Sequence, residues 1–114
     1  MAGKGRPDFI ELPVDDIDAA KAFYEGVFGW DMTAFGPTYA CTLTGDVDIG
    51  LQADRPEKSA APLPVINVPD LEAALAAVEQ AGGAITKPIF GFPGGRRFHF
   101  RDPAGNELAA HKPD

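Results

Sequence analysis

The chain has 114 residues, 45% of them hydrophobic, a formal net charge of −7 and a single cysteine, Cys41. That size suits one globular domain, or two small modules sharing a core. The negative charge argues against a nucleic-acid or anionic-membrane surface, and the lone cysteine excludes an internal disulfide and fits a reducing cytosol.

No apolar run approaches the roughly 18 residues of a membrane span, and MAGKGRPDFIELPV lacks the apolar centre of a signal peptide, so a cytoplasmic location is expected. Residues 3–7 are polar and read as loose. Residues 9–14 alternate like a strand, with Ile10, Leu12 and Val14 on one face and Phe9, Glu11 and Pro13 on the other. Asp15 or Asp16 then caps a helix ending at Gly29, with an apolar stripe of Ile17, Ala20, Tyr24, Val27 and Phe28 and with Phe23 alongside. Three extended runs follow, over residues 30–35, 38–44 and 47–52. Residues 53–62, ADRPEKSAAP, read as a polar linker. Residues 63–68 form the next strand, and Pro69-Asp70 starts a second helix carrying Leu71, Ala74, Leu75 and Val78, stopped by Gly82-Gly83. Residues 84–90 are extended, GFPGG (91–95) reads as a mobile loop, and residues 96–101 alternate Arg96, Phe98, Phe100 with Arg97, His99, Arg101. Asp102-Pro103-Ala104-Gly105 has the residues of a type I turn, and residues 106–112 are the last strand.

The two helical stretches are copies of each other. VDDIDAAKAFYEGVFG, from Val14, and VPDLEAALAAVEQAGG, from Val68, are identical at seven of sixteen positions, among them Asp16/Asp70, Ala19/Ala73 and Gly29/Gly83. With the strands around them, they predict an α+β chain of two tandem βαβββ modules, about 8–52 and 63–112, related by pseudo-twofold symmetry. One helix covers one face of four strands. The two uncovered faces, turned toward each other, would make a barrel-like cleft. Parity puts Phe9, Glu11, Gly50, Gln52, Leu63, Val65, Ala109 and His111 on the cleft side, and Ile10, Leu12, Ile49, Leu51, Ile66, Val68, Leu108 and Ala110 toward the helices.

FIELPVDDIDAAKAFYEGVFGW and FHFRDPAGNELAAH resemble the vicinal oxygen chelate superfamily, which includes glyoxalase I, extradiol dioxygenases and bleomycin resistance proteins. The resemblance runs from about Asp8 to His111 and implies the same paired βαβββ fold. It also implies a divalent metal held from the first and last strands of each module. The matching positions here are Phe9, Gly50, Leu63 and Ala109, whose side chains offer no ligand, so neither metal nor cofactor is expected. Dimeric bleomycin resistance proteins, and the sheet edges two small modules leave open, imply a homodimer.

The polar candidates near those positions each have a structural alternative. Glu11, in a cleft, needs a partner or a ligand, or is a paired glutamate at its mouth. Gln52 and His111 lie two residues past Gly50 and Ala109 and could join Glu11 in a displaced polar cluster; His111 otherwise reads as a frayed, solvated histidine. Parity leaves open whether Arg97, His99 and Arg101 or Phe98 and Phe100 line the cleft. Tyr39 could donate into it, Cys41 reads as a small buried hydrophobe, and GFPGG lacks the helix of a dinucleotide fingerprint. Three functions compete. The first is a protein binding a small, partly aromatic molecule oriented by Glu11, with Gly50 and Ala109 leaving room for it; the ligand is neutral or cationic unless the arginine row also faces it. The second is an enzyme of the same fold using Glu11 as acid–base or a displaced metal. The third is a non-catalytic partner subunit.

Overall fold

The computed structural model describes residues 4–114. Eight strands and two helices occur among them, in the order β1 (Arg6–Pro13), α1 (Ile17–Phe28), β2 (Thr33–Ala34), β3 (Tyr39–Cys41), β4 (Asp48–Gln52), β5 (Leu63–Asn67), α2 (Leu71–Gln80), β6 (Ala84–Phe92), β7 (Gly95–Arg101) and β8 (Glu107–Pro113). The class is α+β, as expected. The chain divides into two units, residues 9–63 and residues 64–114, with residues 4–8 grouping with the latter.

Within the first unit the strands run β2-β3-β4-β1, with β4 antiparallel to β3 and parallel to β1, Ile10 opposite Ile49 and Glu11 opposite Gly50. Within the second they run β6-β7-β8-β5, with β8 antiparallel to β7 and parallel to β5, Val65 opposite Ala109. Each unit thus joins its first and fourth strands in parallel, and the connection between them includes a helix, as parallel neighbours require.

The identities between the helical stretches have a direct physical role. Asp16 caps α1 by accepting from the Ala19 N–H at 3.1 Å, and Asp70 caps α2 by accepting from the Ala73 N–H at 3.0 Å. Both are extended residues with an orphan helical N–H three positions on, the geometry in which a short carboxylate replaces the missing intrahelical bond. Gly29 ends α1 at φ 69°, a left-handed conformation that glycine adopts without strain.

The helices are buried very differently. In the second unit Leu71 and Ala74 of α2 pack on Val68, Phe98 and Ala110, flanked by Ile66, Leu75, Val78 and Phe100. In the first unit α1 buries none of its residues fully, and Val27 and Phe28 of the expected stripe are 55% and 59% exposed. Two of its aromatics instead stack on Trp30, just past its end, whose ring lies 5.6 Å from Tyr24 and 5.0 Å from Phe28, centroid to centroid. That stacking, with the Met32 N–H donated to the Glu25 carboxylate at 3.1 Å, ties residues 30–32 to the helix, so the strand expected over 30–35 shrinks to Thr33–Ala34.

Two further expectations are corrected. Arg6 and Pro7 belong to β1 rather than to a loose segment; Gly3 lies outside the described residues. GFPGG is no loose loop: β6 continues to Phe92, opposite Gly95, leaving only Pro93-Gly94 as the turn. Gly95 serves close packing, since a Cβ there would sit 2.5 Å from the Lys112 carbonyl, whereas Gly94 takes the turn at φ 110°. Residues 53–62 contain a turn closed by the Lys58 N–H on the Asp54 carbonyl at 2.9 Å, and Lys58 Nζ pairs with Asp15 at 2.7 Å. No helix among the described residues is long and apolar enough to cross a membrane.

Removing a cap should weaken the helix it starts. Asp70→Ala is expected to cost about 1 kcal/mol, and Leu71→Ala, which empties the fully buried site beneath Phe98, about 2–5 kcal/mol, both read from urea unfolding midpoints at unchanged slope.

Candidate functional site

The face of the second unit opposite α2 is built by pleat parity. Phe98 and Phe100 pack under α2, and Arg96, on the same face, forks onto Glu72 of that helix with N···O distances of 2.6 and 3.1 Å. Their neighbours Arg97, His99 and Arg101 therefore project from the other face. The question parity left open is closed for this unit: the basic row, not the phenylalanines, shares a face with Val65, Ala109 and His111. Register aligns these residues in two cross-strand rows, Val65–Ala109–His99–Lys87 and Asn67–His111–Arg97–Phe90.

His99 is wholly inaccessible to solvent, yet neither ring nitrogen has a hydrogen-bond partner. The nearest acid, Glu107, stands 3.8 Å from Nδ1, beyond hydrogen-bond reach, and accepts from Thr86 at 2.9 Å. Burial, aided by the charges of Arg97 and Lys87 and opposed by Glu107, pushes His99 down to about 4 from its ordinary 6.5, so at neutral pH it is an uncharged imidazole with one donor and one acceptor. The Phe90 ring lies 5.8 Å from it, and the Arg97 guanidinium lies over Phe90 and Phe92 at 5.3 and 5.6 Å. Aromatic faces, a cation and a neutral imidazole thus stand side by side.

His111 is not frayed. It lies within β8, its Nε2 is 2.7 Å from Asp8 Oδ1, and the Asn67 amide donates to Asp8 Oδ2 at 3.0 Å. Both side chains of the histidine–aspartate pair are only 13% exposed, so the bond is shielded from water. Asp8 and Asn67 escaped the sequence reading because nothing in strand alternation pairs the start of the chain with its end, 103 residues away.

The first unit holds the other expected residues. Glu11 is 2% exposed and sits in a row with Gly50 and Cys41. Gly50 does not leave room for a ligand, because the place its Cβ would take lies 2.5 Å from the Phe9 ring and 2.7 Å from the Tyr39 hydroxyl. The glycine is needed because Phe9 and Tyr39 fill that space. Gln52 uses its amide oxygen to accept from the Asp54 N–H at 3.0 Å, which holds the following turn. Cys41 is buried, and burial, with the nearby Asp48 charge, pushes its thiol up, away from a reactive thiolate. Asp48 itself is held below the usual carboxylate range, burial notwithstanding, by bonds from Thr42, Thr44 and Gly45 that build the β3–β4 turn.

A divalent metal does not fit the family's four positions. Phe9 and Gly50 cover each other, Leu63 and Ala109 are wholly buried apolar side chains, and none has a donor atom in its side chain. Among the described residues no group of three or more His, Cys, Asp and Glu side chains lies close enough to hold an ion.

A model of the Glyoxalase/Bleomycin resistance protein/Dioxygenase superfamily matches residues 6–110. A Mycobacterium bovis protein named as a glyoxylase, CFP32, is 29% identical over 113 residues, covering 90% of this chain; the chain spans 43% of that relative's length. A superfamily member from Vibrio splendidus has a similar fold, with TM-score 0.72, 20% identity, and coverage of 96% and 99% of the two chains. The Mn(II)-bound glyoxalase of Novosphingobium aromaticivorans superposes with TM-score 0.66 and 24% identity over 96% of this chain and 40% of its own.

The buried imidazole makes stability depend on pH. The folded chain takes up this proton only near pH 4, the unfolded chain near its ordinary 6.5; between those values the unfolded state binds more protons and stability falls as pH falls. The expected loss on acidification through that window is about 3 kcal/mol. His99→Leu should flatten it while leaving stability at pH 7 unchanged or higher, as urea titrations at stepped pH will show.

Proposed function

We propose, from the premise that this chain belongs to the Glyoxalase/Bleomycin resistance protein/Dioxygenase superfamily, that it is a small-molecule-binding protein without the divalent-metal centre of metal-dependent glyoxalases. The carrying observation is His99. A buried imidazole with neither nitrogen bonded costs about 1–3 kcal/mol, and a ligand hydroxyl or carboxylate that bonds one of its nitrogens offsets part of that cost. Phe90, Val65 and Ala109 supply apolar surface beside it, and Arg97 supplies positive charge. These neighbours favour a small aromatic compound bearing a phenolic hydroxyl or a carboxylate over an amine. The basic row on this face thus moves the choice away from the cationic ligand that Glu11 alone would select. The lone, buried Cys41 supports a cytoplasmic setting.

The test is calorimetric titration of wild type and His99→Leu with phenol, benzoate and benzylamine. Phenol or benzoate should bind wild type more tightly than benzylamine and lose at least tenfold in affinity in the variant, about 1.4 kcal/mol or more. Preferential binding of the amine, or affinity unchanged in His99→Leu, would refute the reading.

A second, enzymatic reading draws on the Asp8–His111 pair. A carboxylate 2.7 Å from Nε2 fixes the ring and its tautomer, and leaves Nδ1 as the basic nitrogen of a general base. This assigns acid–base work to His111 rather than to Glu11 or a displaced metal. Incubation with small α-hydroxy ketones in D₂O, followed by proton NMR, tests it. Exchange at the carbon beside the carbonyl should be lost in His111→Gln and sharply slowed in Asp8→Asn. Exchange indifferent to both substitutions would eliminate this role.

A further inference from the structure

The three arginines of β7 are placed very differently. Arg96 is turned toward α2 and forks onto Glu72, and Arg101, exposed at the end of the strand, donates to the Gly105 carbonyl at 3.0 Å. Arg97 lies on the face opposite α2, where register sets it between His111 and Phe90. Its guanidinium lies over two aromatic rings at once, Phe90 at 5.3 Å and Phe92 at 5.6 Å. The same Phe90 ring lies 5.8 Å from the His99 imidazole, tilted 45° to it. Two rings beneath one guanidinium hold a long, flexible side chain in place by cation–π attraction, so the fork is set before a ligand arrives and less rotamer freedom is lost on binding. Arginine carries five N–H donors, more than one acceptor uses.

Arg97 and His99 differ in depth and in charge. His99 is wholly buried and uncharged at neutral pH, whereas Arg97, Phe90 and Phe92 are half-buried. An ionised carboxylate is costly to strip of water without a charged partner, a hydroxyl much less so. The carboxylate of a ligand therefore belongs at the partly wet guanidinium, which can meet it with two parallel N–H donors. A hydroxyl belongs at the buried imidazole, which bonds it through one nitrogen. Spacing then constrains the shape of the ligand. Arg97 and His99 are two residues apart on one face of β7, about 6.6 Å along a strand. A rigid ring with hydroxyl and carboxylate at opposite ends spans a gap of that size, with Phe90 beside it as a stacking surface. When the two groups sit on adjacent ring carbons, the hydroxyl folds back onto the carboxylate in an internal hydrogen bond, and the pair is too close together to serve both residues.

Resting on the reading of His99 as a ligand-binding group, we propose that Arg97 selects the ligand's carboxylate, and that the site takes aromatic acids with a hydroxyl across the ring from that carboxylate. Calorimetric titration of the full chain with 4-hydroxybenzoate, 2-hydroxybenzoate, benzoate and phenol tests this. Wild type should bind 4-hydroxybenzoate at least tenfold more tightly than any of the other three. In Arg97→Met, which keeps a long side chain over the two phenylalanines, the carboxylate should contribute nothing, so 4-hydroxybenzoate and phenol bind alike. Arg97→Lys, which keeps the charge but not the fork, should recover only part of the difference. In His99→Leu the hydroxyl should contribute nothing, so 4-hydroxybenzoate and benzoate bind alike. The ranking in wild type decides the shape of the ligand whatever the variants do: 2-hydroxybenzoate or phenol binding as tightly as 4-hydroxybenzoate overturns the proposal. So does a carboxylate preference that survives in Arg97→Met. Phenol binding that depends on His99 without any gain from a carboxylate sinks this proposal and leaves the reading of His99 standing, whereas phenol binding indifferent to His99→Leu sinks both.

Discussion

Phe98 is the residue on which the second unit turns. It is wholly buried against Leu71 and Ala74 of α2 and against Ala110 of the neighbouring strand. Removing a side chain of that size from such a place costs several kcal/mol, more than any surface preference of β7 can return. Because strand side chains alternate, seating Phe98 under the helix also commits Phe100 and Arg96 to that side and Arg97 and His99 to the other. The polar character of the helix-free face is thus a consequence of core packing, and a one-residue slip would trade a phenylalanine core for a buried basic row.

Polar groups outside the regular strands are held by short carboxylates. Asp48 gathers the β3–β4 turn, Asp102 accepts from the N–H groups of Ala104 and Asn106 ahead of β8, and Asp16 and Asp70 start the helices. Each anchors its turn by replacing a missing backbone acceptor. Against this economy His99 stands out. A buried imidazole with neither nitrogen bonded calls for a reason other than folding.

The two units have diverged in electrostatics as well as packing. Residues 9–63 carry the whole net charge of −7, while the remainder is balanced between acids and bases. The balanced unit has a well-covered helix and a face of histidines and arginine. The acidic unit has a helix with an apolar exterior. The helix of one unit is packed into its core, and the helix of the other keeps large apolar side chains on its exterior.

Much of the fold was legible in the sequence because local rules govern it. Asp16 and Asp70 cap, Gly29 terminates, Asp102 to Gly105 turn, and the alternation of Ile66, Val68 and Ala110 toward a helix follows from the strand period alone. The α+β class and the order of strands and helices needed nothing more. The absence of ligand side chains at Phe9, Gly50, Leu63 and Ala109 could also be read directly, since donor chemistry is a property of residue type. Tertiary structure alone decided what lies between elements distant in the chain. It brought Asp8 to His111, filled the space over Gly50 with Phe9 and Tyr39, left both nitrogens of His99 unbonded and left Phe23 and Val27 uncovered. The reason is one of range. Caps, turns and alternation are settled within a few residues, whereas burial and hydrogen-bond partnership depend on which side chains the folded chain brings against one another, and alternation names a face without saying what will meet it.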